Sequence, residues 1–62
     1  MQYLITKTVD GRFVYYYGKG GIWQGLKDNA IHFKDRETAY DNRVALKKIY
    51  PNVKFGLKAI IT

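Results

Sequence analysis

The chain has 62 residues, which suffices for one domain, residues 1–62, near the lower size limit for a self-sufficient core. The absence of cysteine excludes disulfides and thiolate metal sites, so aromatic side chains, 16% of the residues, must supply much of the core. Eleven Lys and Arg residues against five Asp and Glu give a net charge of +6, which favours a polyanionic partner such as nucleic acid or an acidic protein.

The N-terminal sequence MQYLITKT lacks a basic segment followed by an apolar run, so we expect no signal peptide. No apolar stretch approaches the roughly 20 residues that span a bilayer. We therefore expect a soluble, cytoplasmic protein that has no membrane partner.

The first 17 residues predict a β-hairpin. Residues 2–9 and 12–17 are rich in β-branched and aromatic side chains, and Asp10-Gly11 between them is typical of a type I′ turn. A two-residue turn predicts the pairs Val9–Arg12, Lys7–Val14 and Ile5–Tyr16.

Four glycines within residues 18–29 predict a loop, in which Ile22 and Trp23 open a short third strand. The stretch GKGG lacks the other residues of a phosphate-binding loop, so Lys19 is expected only as a loop contact with a partner. Trp23, the only tryptophan, is expected in the core.

The second half of the chain predicts a short β-like run, AIHF, then one helix and one strand. Asp35 suits an N-cap, the pattern from Arg36 to about Tyr50 is helical, and Pro51 ends it. Residues 53–61 alternate as a half-buried strand. The fold class is therefore α+β, with a small antiparallel-rich sheet (N-terminal hairpin, short third strand, C-terminal strand) and one helix packed on one face.

A helical projection separates two faces of the predicted helix. The apolar arc, expected to be buried, contains Ala39, Ala45, Leu46, Ile49 and Tyr50, and Asn42 among them needs a hydrogen-bond partner. The flank carries a basic stripe, Arg36, Tyr40, Arg43 and Lys47, which is a second candidate surface. Such a stripe suits a phosphate backbone, although a solvated helix in a basic protein shows the same pattern.

The two faces of the hairpin predict where a partner binds. Because charges are rarely buried, we expect Phe13, Tyr15 and Tyr17 in the core. The opposite face then holds the candidate nucleic-acid site, with Lys7, Arg12, Lys54 and Lys58 on phosphates and Tyr3 and Tyr16 against bases or sugars. If the three rings face outward instead, the exposed patch is aromatic and suits a protein partner.

No residue pattern predicts catalysis, so we expect a non-enzymatic protein that needs no cofactor. The acidic residues are dispersed over a turn, a loop and the helix start: Asp10, Asp28, Asp35, Glu37 and Asp41. His32 is the only histidine, and with no cysteine a metal site from this chain is not expected.

The segments RFVYYYG and HFKDRETAYDNRVALKK resemble the arm-binding, DNA-binding domains of phage-type integrases, over about residues 12–47. Those domains have three antiparallel strands and one helix, and their sheet enters the DNA major groove. The resemblance implies that Arg12, Tyr16 and Lys7 lie on DNA-facing strands. Lys54 and Lys58 have no counterpart, because this chain adds a Gly-rich loop and a fourth strand.

The chain is also similar to small early bacteriophage proteins, which commonly bind and redirect one host protein.

These patterns predict a small basic nucleic-acid-binding domain, with DNA as the first expectation. The alternative is a phage-type regulator or inhibitor, acting in the host cytoplasm, that binds an acidic or DNA-binding host protein. A further alternative is a homodimer that pairs strand edges through Ile60-Ile61-Thr62.

Overall fold

Four strands and one helix follow one another in the predicted order. The computed structural model describes residues 1–61, and Thr62 of the predicted pairing end lies outside them. The elements are β1 (Gln2–Val9), β2 (Phe13–Tyr17), β3 (Trp23–Gln24), α1 (Arg36–Ile49) and β4 (Lys54–Ile60). The strands form one antiparallel sheet in the order β3-β2-β1-β4, so the predicted α+β fold is confirmed. Within residues 1–61, no helix has the length and apolar composition needed to cross a bilayer.

The core lies around β1, which pairs with β2 on one edge and β4 on the other. Leu4 and Ile5 are consecutive, so their side chains project to opposite faces, and both are fully buried. Beyond the end of β2, Phe33 lies beside β1 on the edge that β2 occupies further along. The Tyr3 N–H donates to the Phe33 carbonyl at 2.8 Å, and the Phe33 N–H donates to the Tyr3 carbonyl at 2.9 Å. The predicted AIHF strand is thus reduced to isolated pairings, of Phe33 with Tyr3 and of Ala30 with Gly18.

The hairpin exists, but its predicted register is wrong by one residue. Val9 lies opposite Phe13 and Lys7 lies opposite Tyr15. Asp10 and Gly11 take the positive φ values, 56° and 69°, that a type I′ turn requires. The Arg12 N–H donates to the Val9 carbonyl at 3.2 Å, yet Arg12 precedes the ladder as an extra residue. A one-residue shift moves every side chain of β2 to the other face relative to β1.

The helix lies over one face of the sheet, which we call the helix-side face. Tyr50 and Val53, at the end of the helix, line a cavity together with Lys7, Trp23 and Phe55. Lys7 pairs with Phe55, so their side chains share a face, as cross-strand partners do. Residues of β1 with odd numbers therefore project towards the helix.

The opposite face, which we call the open face, is not covered by the helix at β4. A methyl group added to Gly56 would meet only the Thr6 hydroxyl, at 3.0 Å. Lys54 and Lys58, on either side of Gly56 in the alternation, are exposed. The alternation predicted for residues 53–61 is therefore only partly correct, because Ala59 and Ile61, expected on the buried side, are exposed and Ile60 is half-buried.

Asp35 begins the helix, as predicted. Its Oδ1 accepts hydrogen bonds from the backbone N–H groups of Glu37 and Thr38, at 2.8 and 3.2 Å, and the Thr38 hydroxyl donates to Oδ2 at 2.7 Å. The Tyr50 N–H donates to the Leu46 carbonyl at 2.8 Å and completes the last turn. These bonds satisfy backbone groups that a helix end leaves without partners.

The buried arc predicted for the helix is only partly correct. Ala39 is fully buried and Leu46 half-buried, but Ala45 and Ile49 are exposed, because they lie on the flank of the row that meets the sheet. Tyr50 follows the helix with non-helical backbone angles, so the projection does not apply to it, and it is exposed. The half-buried Asn42 has the partner it needs, since its Nδ2 donates to the Thr38 carbonyl at 2.8 Å.

The cap predicts how stability depends on pH. Hydrogen bonds from the Thr38 side chain, and then from the backbones of Thr38 and Glu37, lower the pKa of Asp35. Because the folded pKa lies below the unfolded value of about 3.9, the stabilising effect of the carboxylate is present above about pH 4 and is lost as the pH falls through the folded pKa.

We expect Asp35→Asn to lower the Tm modestly at neutral pH, because asparagine keeps one acceptor oxygen, and Asp35→Ala to lower it further. The Tm difference between wild type and D35N, followed by circular dichroism from about pH 6 to about pH 2, should narrow towards acid. A difference that does not change with pH would contradict this role for the charge.

Candidate functional site

The sheet surface predicted from the sequence is divided between the two faces. The open face carries Tyr16, Lys54 and Lys58, whereas the helix-side face carries Tyr3 and Lys7. The one-residue shift of the hairpin moves Tyr16 to the open face. The pairing of β4 with β1 places Lys54 and Lys58 there as well, opposite Thr8 and Leu4. The prediction that these side chains form one continuous face is therefore wrong.

Aromatic rings surround Lys7 on the helix-side face. Trp23 packs edge-on against Tyr17, with ring centroids 5.3 Å apart, and stacks with Phe55 at 5.8 Å and an interplanar angle of 22°. The Lys7 Nζ lies 4.6 Å from the centroid of the Trp23 ring and 5.9 Å from that of Tyr15. A cation near an aromatic ring face is attracted by the ring quadrupole. We call Lys7 and these four rings the aromatic cluster.

The aromatic row of β2 continues out of the cluster towards the turn. Phe13 is 53% exposed and Tyr15 is 36% exposed, so the prediction that they are buried is wrong; Tyr17 is half-buried. The reason is that the helix packs chiefly on β1 and β4 and leaves β2 uncovered. The outward aromatic patch, considered above as the alternative, is therefore present.

A groove of about 560 Å³ lies at the turn end of the sheet. It is lined by Lys7 and Lys54, by Gly11 of the turn and by Asn52 after the helix. A second cavity, of about 300 Å³, lies on the other side of Lys7 and is lined by Trp23, among others. Lys7 and Lys54 thus meet in one groove although they project from opposite faces. A groove lined by a lysine of β1 and a lysine of β4 suits an anionic ligand.

The other predicted contacts lie outside this groove. Lys58 pairs with Leu4 and is two positions further along the open face than Gly56. Arg12 is exposed in the turn, beside Gly11 of the groove, and Lys19 is exposed in the Gly-rich loop. Of the sheet cations predicted to contact phosphates, only Lys58 is remote from the turn end.

The basic stripe of the helix is partly engaged within the protein. The guanidinium of Arg43 lies 5.1 Å from the ring centroid of Tyr40. The Lys47 Nζ donates to the Val53 carbonyl at 2.9 Å, and Arg36 is exposed. The Lys47 ammonium is thus held by a backbone carbonyl, whereas Arg43, like Lys7, lies beside an aromatic ring.

His32 takes part in a structural contact, because its Nε2–H donates to the Lys27 carbonyl at 3.1 Å. Across residues 1–61, no group of three or more histidine, aspartate and glutamate side chains lies close enough together to hold a metal ion.

The Gly-rich stretch positions Trp23. The Gly18 N–H donates to the Ile22 carbonyl at 2.8 Å, and Gly20 and Gly21 have φ values of 74° and 78°, which glycine adopts without strain. This tight turn brings Trp23 opposite Tyr17. The stretch therefore forms a second hairpin, where the sequence predicted a loop that opens into a strand.

Gly18 is expected to be intolerant of a side chain. A methyl group there would lie 2.6 Å from the Ile22 carbonyl oxygen and 2.8 Å from Cγ of Gln24. We expect Gly18→Ala to destabilise the protein by about 1–3 kcal/mol and to alter the Trp23 fluorescence. Gly25→Ala is the matched control, because nothing lies within 4 Å of its added methyl group. Denaturant unfolding of both variants tests this, and equal stability of the two would contradict it.

Comparisons with protein-family models, with curated proteins and with solved structures found no match to this chain. The resemblance to integrase arm-binding domains and to early bacteriophage proteins therefore stays a prediction. The function is therefore inferred from the geometry of the site itself.

Proposed function

We propose that the protein binds nucleic acid at the turn end of the sheet and does so without catalysis. The observation that supports this most is the groove lined by Lys7 and Lys54, because Lys7 and Val9 of its lining pair across the strands with Tyr15 and Phe13, whose rings are exposed. Phosphates require cations and bases require ring faces, and both are available here within one surface. The net charge of +6 adds long-range attraction for a polyanion.

The cations would bind by neutralising phosphates and releasing the counterions that surround them. Lys7 and Lys54 contact the backbone in the groove, and Arg12 extends the contact around the turn. Lys58 and Tyr16 continue the path along the open face. DNA remains the first expectation for the polymer.

A second candidate function is regulation or inhibition of another protein. Several large apolar side chains outside the aromatic cluster are strongly exposed, among them Ile22 at 63%, Leu26 at 67% and Ile49 at 66%. Exposed apolar surface combined with positive charge suits an acidic protein partner. A stoichiometric complex that survives nuclease treatment, and that is lost in Leu26→Asp or Ile49→Asp, would favour this function.

Charge reversal tests the location of the nucleic-acid site. We expect Lys54→Glu to weaken binding of labelled DNA strongly and to reduce the log–log salt slope by about 0.7–0.9, because one phosphate contact is lost. Lys58→Glu should have a smaller effect, because Lys58 lies outside the groove. Lys48→Glu is the control, with the same change of charge on an exposed position of the helix.

Fluorescence anisotropy at about 50 and about 200 mM salt measures the DNA affinity of these three variants and of Arg36→Glu, which tests the helix stripe. Equal losses would mean that net charge alone governs binding. A loss restricted to Arg36→Glu would move the site to the helix stripe, and no binding by the wild-type protein at low salt would reject the proposed function.

A further inference from the structure

Phe13 and Tyr15 present adjacent ring surfaces on one face of β2. They are two positions apart, so their side chains project from the same side of the strand, about 7 Å from each other. Both are at least 36% exposed, although large aromatic rings gain free energy from burial. The helix packs chiefly on β1 and β4, so both rings lie outside the part of the sheet that it covers.

One cation lies beside the Tyr15 ring, and a second precedes Phe13 in the chain. Lys7 lies opposite Tyr15, and its Nζ is 5.9 Å from the centre of that ring. Arg12 directly precedes Phe13 and is exposed in the turn. Arginine and lysine beside a row of rings match a chain in which anionic phosphates alternate with planar bases.

The exposed ring faces discriminate between forms of nucleic acid. In a duplex the faces of the bases are stacked on one another, and only their edges and the phosphates are accessible. In a single strand the faces are free to stack on aromatic side chains. Among the forms of nucleic acid, side-by-side rings on an uncovered strand therefore suit unpaired bases.

We infer that the ligand is single-stranded nucleic acid, with successive bases stacked on Phe13 and Tyr15 while Lys7 and Arg12 hold the phosphates between them. This inference rests on the proposed function and adds the substrate class and the stacking surface. Trp23 lies 4.6 Å from the Lys7 ammonium, so the only tryptophan is placed to report binding.

The test compares a labelled single-stranded oligothymidylate of about 12 nucleotides with a duplex of the same length. We expect the single strand to bind more tightly and to quench the Trp23 fluorescence. Phe13→Ala and Tyr15→Ala should each weaken single-strand binding at least about fivefold, since stacking contributes on this scale per base. Phe13→Leu and Tyr15→Leu keep apolar bulk but remove the ring, and they should lose a similar factor.

Val14→Ala is the matched control, because Val14 lies between the two rings in sequence, is 44% exposed and projects from the open face. It should bind as the wild type does.

Tighter binding of the duplex, or ring variants that bind like V14A, would overturn the inference while leaving nucleic-acid binding intact. Absence of binding to both probes would reject the proposed function itself, and a protein complex lost only in the ring variants would assign the rings to a protein partner.

Discussion

The contact between the Lys7 ammonium and the Trp23 indole, at 4.6 Å, is the interaction on which the site depends. It joins the central strand to the short edge strand β3, which has only two residues in the ladder. Trp23 in turn stacks on Phe55 of β4, so the contact links both ends of the sheet order. A cation–π contact of this kind contributes about 0.5–2 kcal/mol according to its desolvation. The contact also holds Lys7 between the groove at the turn end of the sheet and the second cavity, both of which Lys7 lines.

The small size of the domain explains why part of the aromatic surface remains uncovered. One helix of 14 residues covers two strands of a four-stranded sheet, and among the large side chains of residues 1–61 only Leu4 and Ile5 are fully buried. The rings of β2 nearest the turn have no layer above them. The aromatic residues of β2 therefore have two roles. Tyr17 contributes to the packed part of the sheet, and Phe13 and Tyr15 form its exposed part.

Local signals in the sequence predicted local structure well. The cap at Asp35 and the Asp-Gly turn depend on residues next to each other, and both were identified. The register of β2 depends on whether Arg12 joins the ladder, which the chemistry of the turn alone does not decide. Because Arg12 lies outside it, every side chain of β2 projects to the face opposite to the predicted one, relative to β1. The exposure of Phe13 depends on which strands the helix covers, a property of the tertiary packing. Lys7 and Lys54 were identified as candidate contacts by charge, but their shared groove follows from the pairing of β1 with β4.

The central claim is that nucleic acid binds around Lys7 at the turn end of the sheet. A two-dimensional NMR titration of the labelled protein with oligothymidylate tests it residue by residue. We expect the chemical-shift changes to concentrate at a few residues around Lys7: Lys7, Arg12, Phe13, Tyr15, Lys54 and the indole N–H of Trp23. Changes confined to the helix stripe, Arg36, Tyr40, Arg43 and Lys47, would contradict it.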